Sequence, residues 1–184
     1  MKRLACTALL LQTLLASTGW AALAPGDKAP DFTVPVATGG KEATFSLAEA
    51  LKRGPVVLYF YPKSFTHGCT IEAHLFADAA ETFGAAGATL IGLSGDPIEV
   101  QKEFSAKECR DKFPVAADPN LNVIRAYDAI RTRPLASGET VADRISYVIA
   151  PNGKILFSLT DSVPDKHVDG TLAAVRQWQK EGAK

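Results

Sequence analysis

At 184 residues, 47% of them apolar or aromatic, the chain has the size and composition of one packed globular unit, which excludes two ordinary domains. Twenty basic and twenty acidic residues cancel, and no block of like charge interrupts the sequence. That balance excludes a nucleic-acid footprint and a surface built for anionic lipid.

The first stretch opens with Lys2 and Arg3, runs apolar over residues 4–15 and ends among small residues, the three-part pattern of a secretory signal. Removal is expected after residue 21, within a few residues, because Pro25 disfavours the alternative cut after Ala24. Residues 22–184 then form the mature domain. The apolar run is shorter than the roughly 20 residues of a spanning helix, so no membrane association is expected after removal. Cys6 precedes that run and is wrongly placed for lipid modification. Export, to the periplasm, leaves Cys69 and Cys109 where thiols tend to oxidise, and without a motif a disulfide between them reads as a structural staple.

Residues 32–36 alternate, Gly39 and Gly40 turn the chain, and residues 43–45 return, which predicts a short hairpin at a sheet edge. Ser46 caps a brief helical segment that stops at Gly54. The uninterrupted run Val56, Val57, Leu58, Tyr59, Phe60, Tyr61 predicts a strand buried on both faces. It breaks at Pro62. A polar turn leads into apolar positions at helical spacing from Thr70 to Phe83, so Cys69 is expected where the loop becomes helix. Alternation continues with a strand over 89–93, a helix over 97–106, a strand over 113–117 and a helix over 120–127. Asp96-Pro97 and Asp118-Pro119 read as caps of those two helices. Two apolar strands, 144–149 and 154–159, flank the turn Pro151-Asn152-Gly153, and an amphipathic helix over 168–178 closes the chain. The order implies an α/β fold whose mixed sheet carries helices on both faces.

A cysteine where a turn opens a helix meets unpaired amides and the positive end of the helix dipole, both of which favour thiolate over thiol. Thr66 brings a hydroxyl that can donate to the sulfur or accept from a bound group, Pro62 fixes the strand exit, and Gly68 permits close approach.

The string Tyr61-Pro62, three residues, Thr66, one residue, Gly68-Cys69-Thr70, one residue, Glu72-Ala73 resembles the active-site signature of the peroxiredoxins, most of all the bacterioferritin-comigratory or Q-type group. Asp143-Arg144-Ile145-Ser146-Tyr147 before Pro151-Asn152-Gly153 is similar to the family's arginine-bearing strand. The resemblance spans nearly the whole mature chain. It implies a thioredoxin-like fold with an N-terminal hairpin, no cofactor, and a monomer that reduces hydrogen peroxide and organic hydroperoxides. Cys69 is implied as the peroxidatic nucleophile, Thr66 and Arg144 as placing the peroxide, Pro62 as a wall of the pocket, Gly68 and Glu72 as supports, the latter orienting Arg144. At the helix position where Q-type members often carry the resolving cysteine stands His74. Cys109, in a region where other members place that residue, is therefore expected to resolve Cys69 to a disulfide that an external thioredoxin-like dithiol reduces. A structural thiol, or one paired with another chain, stays open for Cys109.

Two alternatives accompany this reading. A thioredoxin-like disulfide oxidoreductase needs a second cysteine three positions after the first, where Glu72 stands. A copper-carrying assembly protein would recruit His67, Cys69 and His74, but the expected partner cysteine is missing and solvated histidines are the simpler account. His167 reads as a polar surface residue and Trp178 as part of the core face of the last helix.

Overall fold

A computed structural model describes residues 22–182. Twelve elements follow one another: β1 (Thr33–Thr38), β2 (Lys41–Ser46), α1 (Leu47–Leu51), β3 (Val56–Phe60), α2 (His67–Ala85), β4 (Thr89–Ser94), α3 (Ile98–Lys107), β5 (Val115–Ala117), α4 (Asn122–Ala126), β6 (Ile145–Ile149), β7 (Ile155–Thr160) and α5 (Pro164–Gly182). Seven strands make one sheet in the order β2-β1-β5-β4-β3-β6-β7. β3, β4 and β5 run parallel, joined by α2 and α3, while β1, β2, β6 and β7 add antiparallel pairs at the two sides.

β3 sits deep in the sheet because every residue of it is apolar, so both pleated faces can be covered. Val56, Leu58 and Phe60 enter one core, with Leu47 and Ala50 of α1 and Val123 and Ile124 of α4. Val57 and Tyr59, followed by Tyr61, enter the other, with Ala73, Phe76 and Phe83 of α2, Phe104 of α3 and Val175 of α5. Tyr59 lies opposite Gly92 of β4, where any Cβ would sit 2.7 Å from its ring, so the missing side chain makes room for the tyrosine.

Both hairpins, both covered faces and the mixed sheet agree with the sequence reading, and Ser46 caps α1 by accepting from Glu49 N at 3.4 Å. Two expectations need correction. Asp96 does not cap α3; its Oδ2 accepts from Ser64 N at 2.7 Å and from Ser94 Oγ at 2.9 Å, because the strand end and the loop after β3 offer donors closer than the helix does. Asp118, by contrast, receives amides of its helix as expected, Asn122 N and Ile124 N, both at 2.9 Å, at the start of the short α4. α5 starts at Pro164, so His167 lies inside a helix and is fully buried instead of solvated. The expected secretory signal, residues 1–21, lies outside the described residues.

Candidate active site

Cys69 is the third residue of α2, whose first turn closes with Thr70 N donating to Thr66 O at 2.9 Å. The amides of that turn have no partner further back in the helix, so the sulfur sits at the positive end of a 19-residue dipole. Only 2% of Cys69 is exposed.

Arg144 reaches it from the start of β6. Along that strand Ile145, Tyr147 and Ile149 enter the core beneath α1 and α4, so Arg144, in the opposite phase, points to the α2 side. Its Nη2 donates to Cys69 Sγ at 3.5 Å, and its Nη1 donates to Glu72 Oε2. Glu72 follows Cys69 by three residues on the same face of α2, which lets one guanidinium fork serve both. Burial pushes the Glu72 carboxyl above its usual range, and Arg144 opposes that rise. Burial also works against charge on Arg144, but Glu72 and Cys69 beside it outweigh the loss and hold it above its ordinary value. Gly68 contributes by absence: a Cβ there would lie 3.1 Å from Arg144 Nη2.

Thr66 is the N-cap residue of α2, but its hydroxyl donates to Lys63 O at 2.9 Å and makes no capping bond to the helix. The oxygen's lone pairs stay available to a hydroxyl or hydroperoxide proton. Pro62 and Arg144 share a cleft of about 400 Å³ with Arg131, Asp143 and the chain at 160–162. Within the loop, Phe65 holds φ at 62°, a conformation that bulky side chains rarely take, and rests edge-on against Phe104 of α3 at 5.2 Å.

The structure thus brings together Cys69, Glu72, Gly68 and Arg144, with Pro62 lining a cleft that Arg144 also borders, and places Thr66 one turn ahead. Cys109 follows α3, fully buried in the same core as Cys69, and both thiols are free. Burial, then the Glu108 carboxylate, hold the Cys109 thiol far above the ordinary range. His67 is exposed, while His74 Nε2 lies 2.8 Å from Glu108 Oε2.

Two supports went unrecognised in the sequence. Asp96 fastens Ser64, and so the loop before the nucleophile, to the end of β4. Its Asp-Pro context signals a cap more strongly, and only tertiary proximity shows otherwise. His167 stands behind Arg144: its Nε2 faces Asp161 O at 2.9 Å, so that nitrogen carries a proton, and its Nδ1 accepts from Ser146 Oγ at 2.8 Å. The ring is therefore held neutral, and burial chiefly, with the nearby Arg144, lowers its pKa below 6.5. Because the unfolded chain binds this proton more readily, folding stability is complete above about pH 6.5 and falls as the pH drops below it, by at most about 1.4 kcal/mol per pH unit. Urea midpoints measured from pH 7 to pH 5 are expected to fall less steeply in His167→Gln than in the wild-type chain.

A model of the AhpC/TSA family matches residues 25–158, most of the chain. The chain belongs to that family, the peroxiredoxins. A putative peroxiredoxin of Mycobacterium tuberculosis is 34% identical over 152 residues, which are 82% of this chain and 95% of that protein. Chloroplastic peroxiredoxin Q of Gentiana triflora is 35% identical over 154 residues, 83% of this chain and 67% of that one. Among solved structures, peroxidoxin BcpB from Mycobacterium tuberculosis is 33% identical and superposes with a TM-score of 0.73 over 83% of this chain and 96% of its own. A PrxQ of Xylella fastidiosa, 22% identical, has the same fold, with a TM-score of 0.75 over 86% of this chain and 98% of that one. This peroxiredoxin is a thiol peroxidase with a thioredoxin-like fold, and its relatives include the Q-type and bacterioferritin-comigratory proteins that the motif around Cys69 resembles.

Proposed function

We propose that this peroxiredoxin is an exported, periplasmic enzyme that reduces hydrogen peroxide and organic hydroperoxides at Cys69, with Cys109 as its resolving thiol. The observation that carries the assignment of the nucleophile is the Arg144 guanidinium donating to Sγ at the first turn of α2. The Cys69 thiolate attacks the distal peroxide oxygen; an S–O bond forms, the O–O bond breaks, and an alkoxide or hydroxide departs and takes up a proton. Arg144 stabilises the negative charge first on sulfur and then on the departing oxygen, without reorganising during the step. Thr66 Oγ1 accepts from the peroxide hydrogen, Pro62 walls the cleft, and Glu72 fixes the plane of the guanidinium. The product is alcohol or water and a sulfenic acid on Cys69.

Cys109 then attacks that sulfenic sulfur, releasing water and leaving a Cys69–Cys109 disulfide. An external thioredoxin-like dithiol reduces the disulfide, its own two thiols becoming oxidised. The buried starting position of Cys109 requires the chain around it to open before the second bond forms. Export rests on Lys2, Arg3 and the apolar run after them, and the Q-type likeness favours a monomer.

One equivalent of hydrogen peroxide added to the reduced enzyme is expected to yield, on peptide mass mapping, a single Cys69–Cys109 crosslink within one chain. The Cys109→Ser variant is expected to stop at a sulfenic acid on Cys69 that dimedone traps. Oxidised protein with Cys109 free, or crosslinked only between chains, would remove Cys109 from the cycle and leave the nucleophile unaffected.

A further inference from the structure

Three polar pairs cross from α2 to the segment that carries Cys109. His74 meets Glu108 at 2.8 Å, Asp78 meets Arg110 at 2.7 Å, and Glu81 meets Lys112 at 2.9 Å. Positions 74, 78 and 81 follow helical spacing and lie on one face of α2. Positions 108, 110 and 112 alternate along the segment, and between the first two Cys109 turns inward and is fully buried. The cysteine is thus strapped against the core by a ladder whose second and third rungs join full charges at the surface.

Backbone geometry adds tension to the strap. Arg110 and Asp111 both take left-handed conformations, with φ of 51° and 58°. Neither is a glycine, and two successive left-handed residues persist only where surrounding contacts hold them. The amides of Glu108 and Cys109 both donate to Phe104 O, at 2.9 and 3.1 Å, and Asp111 N donates to Ser105 O at 3.2 Å, so the strap is also pinned to the end of α3.

We propose that residues 108–112 form an electrostatic latch, in which the pairs to α2 withhold Cys109 from oxidised Cys69 and the opening of the ladder limits the rate of disulfide formation. Release removes Cys109 from its buried site, the chief influence that keeps its thiol protonated. While the latch is closed, the Cys69 sulfenic acid can meet a second peroxide: a further S–O bond forms, the O–O bond breaks, and sulfinic acid and an alcohol or water result. The latch therefore divides the enzyme between turnover and overoxidation, and ionic strength shifts that division, because salt screens surface charge pairs. This inference rests on Cys109 being the resolving thiol.

The test follows a single turnover of the reduced full chain by rapid quench, alkylation and mass mapping, in sodium chloride at about 0.01 M and about 1 M, where screening lengths are roughly 30 and 3 Å. Crosslinking is expected to quicken about fivefold to tenfold at high salt, while the preceding oxidation of Cys69 by uncharged peroxide keeps its rate. The double variant Asp78→Asn, Glu81→Gln removes the charges facing Arg110 and Lys112; it is expected to crosslink at the fast rate in both salts and to accumulate less sulfinic acid under excess peroxide. A crosslinking rate indifferent to salt in the wild-type chain would overturn the latch alone, as would a double variant that keeps the wild-type salt dependence. No Cys69–Cys109 crosslink in either salt would overturn both the latch and the role of Cys109. The wild-type salt series stands whether or not the variant folds.

Discussion

Peroxide consumption by Cys69→Ser, assayed with a dithiol reductant in excess, is expected to fall by on the order of 10⁴ or more. Serine offers a hydroxyl that stays protonated at neutral pH, and oxygen cannot replace sulfur as a soft nucleophile towards an O–O bond. Arg144 and the helix terminus would remain, but with nothing for them to activate. The substitution is nearly isosteric at a site that is 2% exposed, so the cost in stability is expected to stay below about 1.5 kcal/mol, and far-ultraviolet circular dichroism should be unchanged. Cys109→Ser provides the contrast: the first oxidation keeps its rate, and only the second bond is lost. Turnover that persists in Cys69→Ser would place the chemistry elsewhere, since the other described cysteine is buried with a strongly raised pKa.

The parts of the fold most legible in the sequence were those set by period and punctuation. β3 reads directly from an unbroken apolar run, and its burial on both faces follows from having no polar residue to expose. The start of α2 reads from Pro62, Gly68 and the stripe beyond Cys69, and the family resemblance carried by that motif and by Asp143-Arg144 implies that Cys69, Glu72 and Arg144 share one site. Contacts between distant segments that no motif carries were not legible. Asp96 stands before a proline like any capping residue, yet Ser64, 32 residues earlier, takes its carboxylate. His167 lies near a helix start and reads as solvated, but Ser146 and the Asp161 carbonyl offer a complete pair of hydrogen bonds inside the core, which is what permits a histidine to be buried. The helix position held by His74 was read as a lost resolving cysteine; its ring instead faces the strap that holds the remaining one.

Arg144→Lys is expected to slow Cys69 oxidation by about 10²-fold to 10³-fold, the usual cost of removing one preorganised donor from a developing anion. The guanidinium uses separate nitrogens for its two tasks, Nη1 for Glu72 and Nη2 for Cys69 Sγ, at the ends of a rigid fork. A lysine ammonium is a single point of charge and would settle on the buried carboxylate, leaving the sulfur without its donor. The loss should therefore appear in the second-order rate of oxidation, read by stopped-flow, with only a small change in stability. Arg144→Ala separates the two consequences further. It leaves Glu72 buried without a counter-charge, at a cost of about 3–5 kcal/mol once the carboxylate is ionised. Burial raises the pKa of that carboxyl, and removal of the guanidinium withdraws the one influence opposing the rise. The folded variant then holds its proton to higher pH than the unfolded chain does. Its own stability is expected to fall as the pH rises above about 4.5, the ordinary carboxyl value, and its deficit relative to the wild-type chain to grow only above about 8, the value to which burial has already raised the wild-type carboxyl, whereas Glu72→Gln in the same background should abolish that pH dependence. If Arg144→Lys oxidised as fast as the wild-type enzyme, the guanidinium would be a structural partner of Glu72 alone, and polarisation of the peroxide would have to come from the helix terminus.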